Sequence, residues 1–215
     1  NADLIEAFTN SLIIAFVSTI FATVIGAMVG LLLWRFTFPS KTAYEGFMAL
    51  PIVIPEITMG VALMAFFFQI GWMTADVPWP FNLGPIAVAH IAFCFPFVAV
   101  VVRSRLVGFN KQLEEASRDL GASQWQTFWN VLFPFMKPGL IAGALLAFTP
   151  SLDDFVITYF TSGPGSVTFP VKVYSLVRRG ITPDINAAST ILILITVAAT
   201  VLAMKLQAPP KPSKG

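Results

Sequence analysis

QLEEASRDLGASQWQTFWNVLFPFMKP, residues 112–138, is the longest polar interruption between apolar blocks in this chain. Its spacing predicts two short helices joined at Gly121. In the first, Leu113, Ala116 and Leu120 recur at i, i+3 and i+7 and share one face, and Glu114 stands four residues before Arg118, a favourable helical pair. Gly121 fits a left-handed C-terminal stop. Ser123 opens the second helix, with Gln126 three residues on as its capping-box partner. Trp125, Phe128, Trp129 and Leu132 make an apolar stripe, which Pro134 is expected to end. A compact helix–turn–helix bearing such stripes, set between membrane-length blocks, has no lipid role. It is expected to dock on a partner at the membrane surface.

Those flanking blocks set the class. The chain of 215 residues is 56% hydrophobic and 11% charged, with a mean hydropathy of +0.79. That is too apolar for a soluble domain and belongs to a protein with several membrane spans. A net charge of +2 gives no argument for a nucleic-acid partner. The single cysteine, Cys94, lies in an apolar run; it offers no disulfide framework and no metal-ligand spacing, and reads as a small packing residue.

A span needs about 20 mostly apolar residues. Five blocks qualify, at 11–36, 47–72, 85–107, 139–160 and 187–206. Gly26 and Gly30 give the first a small-residue packing face. Pro51 and Pro55 bend the second, Pro96 lies in the third, and Pro150 interrupts the fourth. Residues 161–186 are punctuated by Gly and Pro and are partly amphipathic through Val171, Tyr174 and Val177. Lysine and arginine set the orientation. Arg35, Lys41, Arg103, Arg105, Lys111, Arg118, Lys137, Lys205, Lys211 and Lys214 fall on one side, and Lys172, Arg178 and Arg179 on the other. The polar stretch is therefore expected in the cytoplasm and the start of the chain outside. Trp79, between two prolines in an external loop, suits the interface. Residues 1–10 lack the basic region of a signal peptide, so an outward start implies a further span upstream, six in all with the first missing. Residues 207–215 are expected to be a disordered cytoplasmic tail.

Ionisable residues inside spans are costly and mark function. Counted along straight helices, Glu56 would lie about 16 Å, and Asp153 and Asp154 about 22 Å, above the cytoplasmic edge. Each closely follows a proline, which suits a cavity lining. His90 enters from the outer end of the third block and reaches the same depth. The plainer readings are that Glu56 bonds backbone freed by Pro55 and that His90 is a satisfied packing residue. Adjacent aspartates point about 100° apart on a helix, so at most one is expected to face the pathway directly while the other caps or pairs. Carboxylates in a wet cavity favour a cation. Enzyme readings fail: the two aspartates are neighbours rather than a facing pair, His90 is the sole histidine, and no phosphate-binding Gly-x-x-x-x-Gly-Lys-Ser/Thr loop is present. ATP-driven work would have to come from a partner.

Glu115, Ala116, Gly121 and Pro134 stand at the spacing of the EAA loop, and the chain resembles the permeases of ABC importers that carry it. Ser117, Val131 and Phe133 depart from that pattern's Ala, Ile and Leu. HIAFCFPFVAVVVRSRLVGFN at 90–110, SLDDFVITYFTSGPGS at 151–166 and FPVKVYSLVRRGITPDINAASTI at 169–191 further resemble the second of the paired permeases of spermidine/putrescine importers. The resemblance implies an all-α, polytopic type I ABC importer transmembrane domain over residues 1–206, with its coupling loop at 108–138, in a bacterial inner membrane. It implies a second permease, two ATPase subunits that bind the ATP and magnesium, and a periplasmic binding protein. This chain would bind no cofactor or metal itself and would not be an enzyme. Glu115 would contact the ATPase, Gly121 would allow the turn, and Ala116, Trp125, Phe128 and Pro134 would belong to the same coupling surface. Glu56, Asp153, Asp154 and His90 would line the polyamine pathway, with Trp72, Trp79 and Tyr159 as aromatic contacts. The alternatives are an ABC permease for iron, thiamine or an anion, and an ATP-independent secondary transporter. The absence of an internal repeat weighs against the last.

Overall fold

The computed structural model describes residues 2–73, 77–163, 165–178 and 183–207, and every regular element among them is helical. Helix α1 (Ala2–Arg35) has no proline and runs 34 residues unbroken. The second apolar block becomes two legs, α2 (Lys41–Val53) and α3 (Glu56–Gln69), bent by 102°. Proline disfavours helical geometry in the residue before it, and Ile54 is accordingly extended, with φ −68° and ψ 135°. The straight-helix depth expected for Glu56 therefore does not apply; Glu56 opens the second leg. A short 3-10 turn leads into α4 (Gly84–Val107), which carries Pro96 within it.

The polar stretch folds as α5 (Gln112–Asp119) and α6 (Gln124–Thr127). Gly121 takes φ +87° between them, and the Ser123–Gln126 capping box is formed in both directions. Pro134 does not end the second helix, contrary to the sequence expectation. A π turn at Phe128–Leu132 carries α6 straight into α7 (Phe133–Asp153). Pro134 sits in the first turn of α7, and the wide turn ahead of it leaves room for the ring that would clash in a regular helix. Residues Gln124–Asp153 thus form one span-length unit of 30 residues. Nor does the chain break at Pro150: the helix passes through it and stops at Asp153. Asp154 is extended, and α8 (Val156–Thr161) follows. Then come α9 (Phe169–Val177) and α10 (Pro183–Gln207). Four helical units are long and apolar enough to cross a membrane, or five when the bent pair counts as one. Residues 208–215, most of the expected tail, and Arg179 lie outside the described residues.

α4 is the axis of the packing, in contact with α1, α2, α3, α7 and α8. Glycines let its neighbours close on it. A Cβ on Gly26 would stand 2.6 Å from Val98 Cβ and 2.7 Å from the Phe95 carbonyl, and one on Gly143 of α7 would stand 3.1 Å from Val98 Cγ1. Val98 is thereby gripped from both sides, as small residues permit where helices pack in lipid. Cys94 is buried and donates to the Ala147 carbonyl across the α4–α7 seam at 3.4 Å, the packing role read from sequence.

The two ends of the bundle differ. At one, Arg35 pairs with Glu114 and Arg103 with Glu45. At the other, Lys172 bonds Asp3 at 2.9 Å. Nearby, Asn10 donates to the Val167 carbonyl and accepts from Trp79 Nε1. This agrees with the lysine and arginine asymmetry.

Candidate functional site

The helix–turn–helix is held to the bundle by its polar face. Glu114 is the buried residue of α5, and Arg35 Nη1 at the end of α1 reaches both its oxygens, at 2.7 and 2.6 Å. The expected Glu114–Arg118 pair is replaced by this longer-range one, because α5 lies against the end of α1. Leu113, Ala116 and Leu120 do share a face, but it points away from the protein: Leu120 is 90% exposed. Glu115, Gly121, Pro134 and Trp125 (69% exposed) are also open. Phe128 is half-buried and Leu132 buried, so the second stripe is shared between surface and core. Trp125 stacks on Phe128 at 6.1 Å and meets Trp129 edge-on at 5.6 Å, which stiffens the exposed ridge. The hydroxyls of Ser117 and Thr127 are 3.1 Å apart and tie the two short helices together. Ser117 is the position that departs from alanine in the EAA pattern, and that departure was the available signal for this tie.

Inside the bundle the four sequence-selected residues separate into two pairs. His90 is 1% exposed. Its Nδ1 lies 2.8 Å from Ser151 Oγ, its Nε2 lies 2.9 Å from Thr158 Oγ1, and Asp154 Oδ2 is 3.4 Å from Nε2. Asp154 also accepts from the Thr158 amide at 2.7 Å, the Thr158 hydroxyl at 2.8 Å and the Ile157 amide at 3.4 Å, and so caps α8. Asp153 and Glu56, by contrast, are exposed in the chain taken alone, and Asp153 feels the charges of Glu56 and Asp154. The surface that presents them is formed by α3 against α8. There Gly60 abuts Phe160, and a Cβ at Gly60 would stand 2.8 Å from its ring. Among the described residues neither Asp153 nor Glu56 has an ion-pair partner.

Sequence reasoning missed Ser18, Ser151 and Thr158. Ser18 bonds the Ile14 carbonyl and sits 3.0 Å from Ser151 Oγ, extending the His90 network from α4 and α7 to α1. The signal was a hydroxyl in an otherwise apolar helix, which is too common in spans to single out without the fold. Of the aromatic candidates, Tyr159 packs with Phe155, Phe160 and Tyr174 beside the carboxylates. Trp72 lies on Phe67 and Gly84, and Trp79 is spent on Asn10 at the outer end.

The family pattern of the binding-protein-dependent transport system inner membrane component matches residues 22–208. The chain belongs to that family. It is thus an inner-membrane transport component. It is 37% identical over 204 residues to the spermidine/putrescine transport system permease protein PotC of Haemophilus influenzae, covering 94% of this chain and 76% of that protein. It is 37% identical over 193 residues to the putrescine transport system permease protein PotI of Escherichia coli, covering 88% and 68%. The sulfate transport system permease protein CysT of Escherichia coli is 33% identical over 209 residues, covering 94% and 75%. Among solved structures, an inward-facing MetNI methionine ABC transporter matches with a TM-score of 0.70 at 21% identity, covering 95% of this chain and 94% of that one. The transport component therefore has the all-helical fold of an ABC importer membrane domain.

Proposed function

We propose that this transport component is the permease of an ATP-driven importer that moves polyamines, of the spermidine or putrescine type, from periplasm to cytoplasm. The observation that carries the substrate reading is the exposure of Glu56 and Asp153 on one surface, with no cation paired to either among the described residues. Two carboxylates held together suit a flexible ligand with spaced ammonium groups, and the names of the polyamine permeases at 37% identity point the same way. The outward face of α5 with Glu115, Ala116 and Gly121, and the ridge of Trp125 and Phe128 running to Pro134, is the surface that would meet an ATPase subunit holding ATP and magnesium. A second permease, a second ATPase and a periplasmic binding protein would complete the importer.

A permease for an inorganic anion is the second reading, favoured by the sulfate relative; the paired carboxylates oppose it. Reconstitution with the partner subunits in proteoliposomes separates the two. Glu56→Gln and Asp153→Asn should each lower ATP-dependent spermidine uptake about tenfold, the effect of removing the charge from one hydrogen bond to an ammonium group. Unchanged uptake in both variants removes the polyamine pathway, and sulfate uptake by the unaltered assembly would put the anion in its place.

A further inference from the structure

We propose that His90 is a positioning residue for the pathway: it fixes the break between α7 and α8 and thereby aims Asp153 outward beside Glu56. The inference rests on the pathway reading above.

One imidazole grips both sides of the break. Ser151, in the last turn of α7, meets Nδ1, and Thr158, in α8, meets Nε2. The single hydroxyl proton of Thr158 goes to Asp154 Oδ2 at 2.8 Å, so Thr158 Oγ1 accepts from Nε2. Asp154 is then committed to the amides of Ile157 and Thr158. A broken helix inside a membrane persists only where such groups satisfy the freed backbone.

Fixing Asp154 in this way has a geometric consequence. Asp153 and Asp154 are consecutive, and the extended backbone of Asp154 turns one carboxylate in and leaves the other out. α3 packs on α8 and carries Glu56 at its first residue, so the outward turn of Asp153 puts it on the side where Glu56 stands. Ser18 Oγ of α1 lies 3.0 Å from Ser151 Oγ, so α1 closes the network from behind. His90 is 1% exposed and does not reach the surface on which Asp153 lies, so it acts on the pathway through Asp154 and the two hydroxyls.

The test uses the complete importer in proteoliposomes, with spermidine as the probe and saturating loaded binding protein. His90→Ala should lower the uptake rate about tenfold, a coupling within the range found for contacting residues. His90→Gln, whose amide can donate to Thr158 and accept from Ser151, should restore most of it. In an Asp153→Asn background His90→Ala should cause no further loss, because the group it positions is already disabled. Full uptake in His90→Ala overturns the inference. So does failure of His90→Gln to restore uptake although the assembly keeps its basal ATP hydrolysis. An additive loss in the double variant overturns it as well. If Asp153→Asn alone transports normally, the pathway reading itself has failed, a result distinct from the other three.

Discussion

Asp154 turns inward because α7 stops at Asp153 and the next residue is extended, with ψ 129°. Its carboxylate then meets the first amides of α8, where a capping acceptor stabilises a helix start. Asp153 has no such duty. The two neighbours should therefore respond differently to the same truncation. Asp154→Ala should lower stability by about 1–3 kcal/mol, since it uncaps α8 and leaves the Thr158 hydroxyl without its acceptor. Asp153→Ala should leave the melting temperature of the detergent-solubilised protein where it was. Tryptophan fluorescence melting measures both, and equal melting of the two variants contradicts the division of roles. At the same scale, Glu114 shows how a local pairing rule yields to tertiary placement. The i, i+4 contact with Arg118 is worth a few tenths of a kcal/mol. Contact with Arg35 takes both oxygens of a side chain that is already buried against the end of α1.

Helix α4 is closely approached by α1 and α7 because glycine stands where a side chain would collide with backbone. Gly26 and Gly30 of α1 face the Phe95 and Ala99 carbonyls, each within 2.8 Å of where a Cβ would be. Backbone cannot yield as a side-chain tip can. Gly26→Val should force α1 away from α4 at a cost of about 3 kcal/mol or more. Size-exclusion profiles and thermal melting should show aggregation or a markedly lower transition. A variant as stable as the original would mean that the α1–α4 seam repacks freely. The small-residue spacing was visible in the sequence; its partner was not, since Gly26 and Gly30 look alike whether they face another span of the same chain or a second subunit.

Across the whole molecule, the second half of the polar stretch and Asp153 share one helical unit. Gln124–Asp153 is 30 residues long, about 45 Å at the usual helical rise. Asp153 therefore stands at the far end of the helical unit that begins with α6, with the π turn at Phe128–Leu132 between them. Its outer end abuts the His90 network, and its inner end carries the tryptophan ridge. Leu120 and Trp125 are exposed, and the ring contacts of Trp125 are with Phe128 and Trp129 of its own ridge. Leu120→Asp and Trp125→Ala should therefore leave folding unchanged within about 0.5 kcal/mol, as expected of surface positions. They should reduce co-purification of the ATPase subunit and ATP-dependent uptake at least several-fold. Normal assembly in both variants would show that the exposed face is not the docking surface.

Sequence alone determined the class, the residues that share each end of the bundle and the helix–turn–helix of the polar stretch, because these rest on short-range signals. Apolar length marks spans, lysine and arginine mark sides, and the Gly121 turn and the Ser123–Gln126 cap are closed within four residues of themselves. It also placed Asp153 and Asp154 in different roles, from the angle between consecutive side chains. Which aspartate was which depended on contacts distant in sequence: His90 reaches Ser151 and Thr158 from 61 and 68 residues away. The proline effects, too, were only half legible. Pro55 breaks its helix while Pro134 and Pro150 do not, although all three lack the same amide hydrogen. A π turn ahead of Pro134 relieves its ring, and the break after Pro150 waits for Asp154, whose carboxylate can satisfy the amides a new helix start leaves open. Those choices belong to the tertiary structure, because only packing decides which freed backbone groups find a partner.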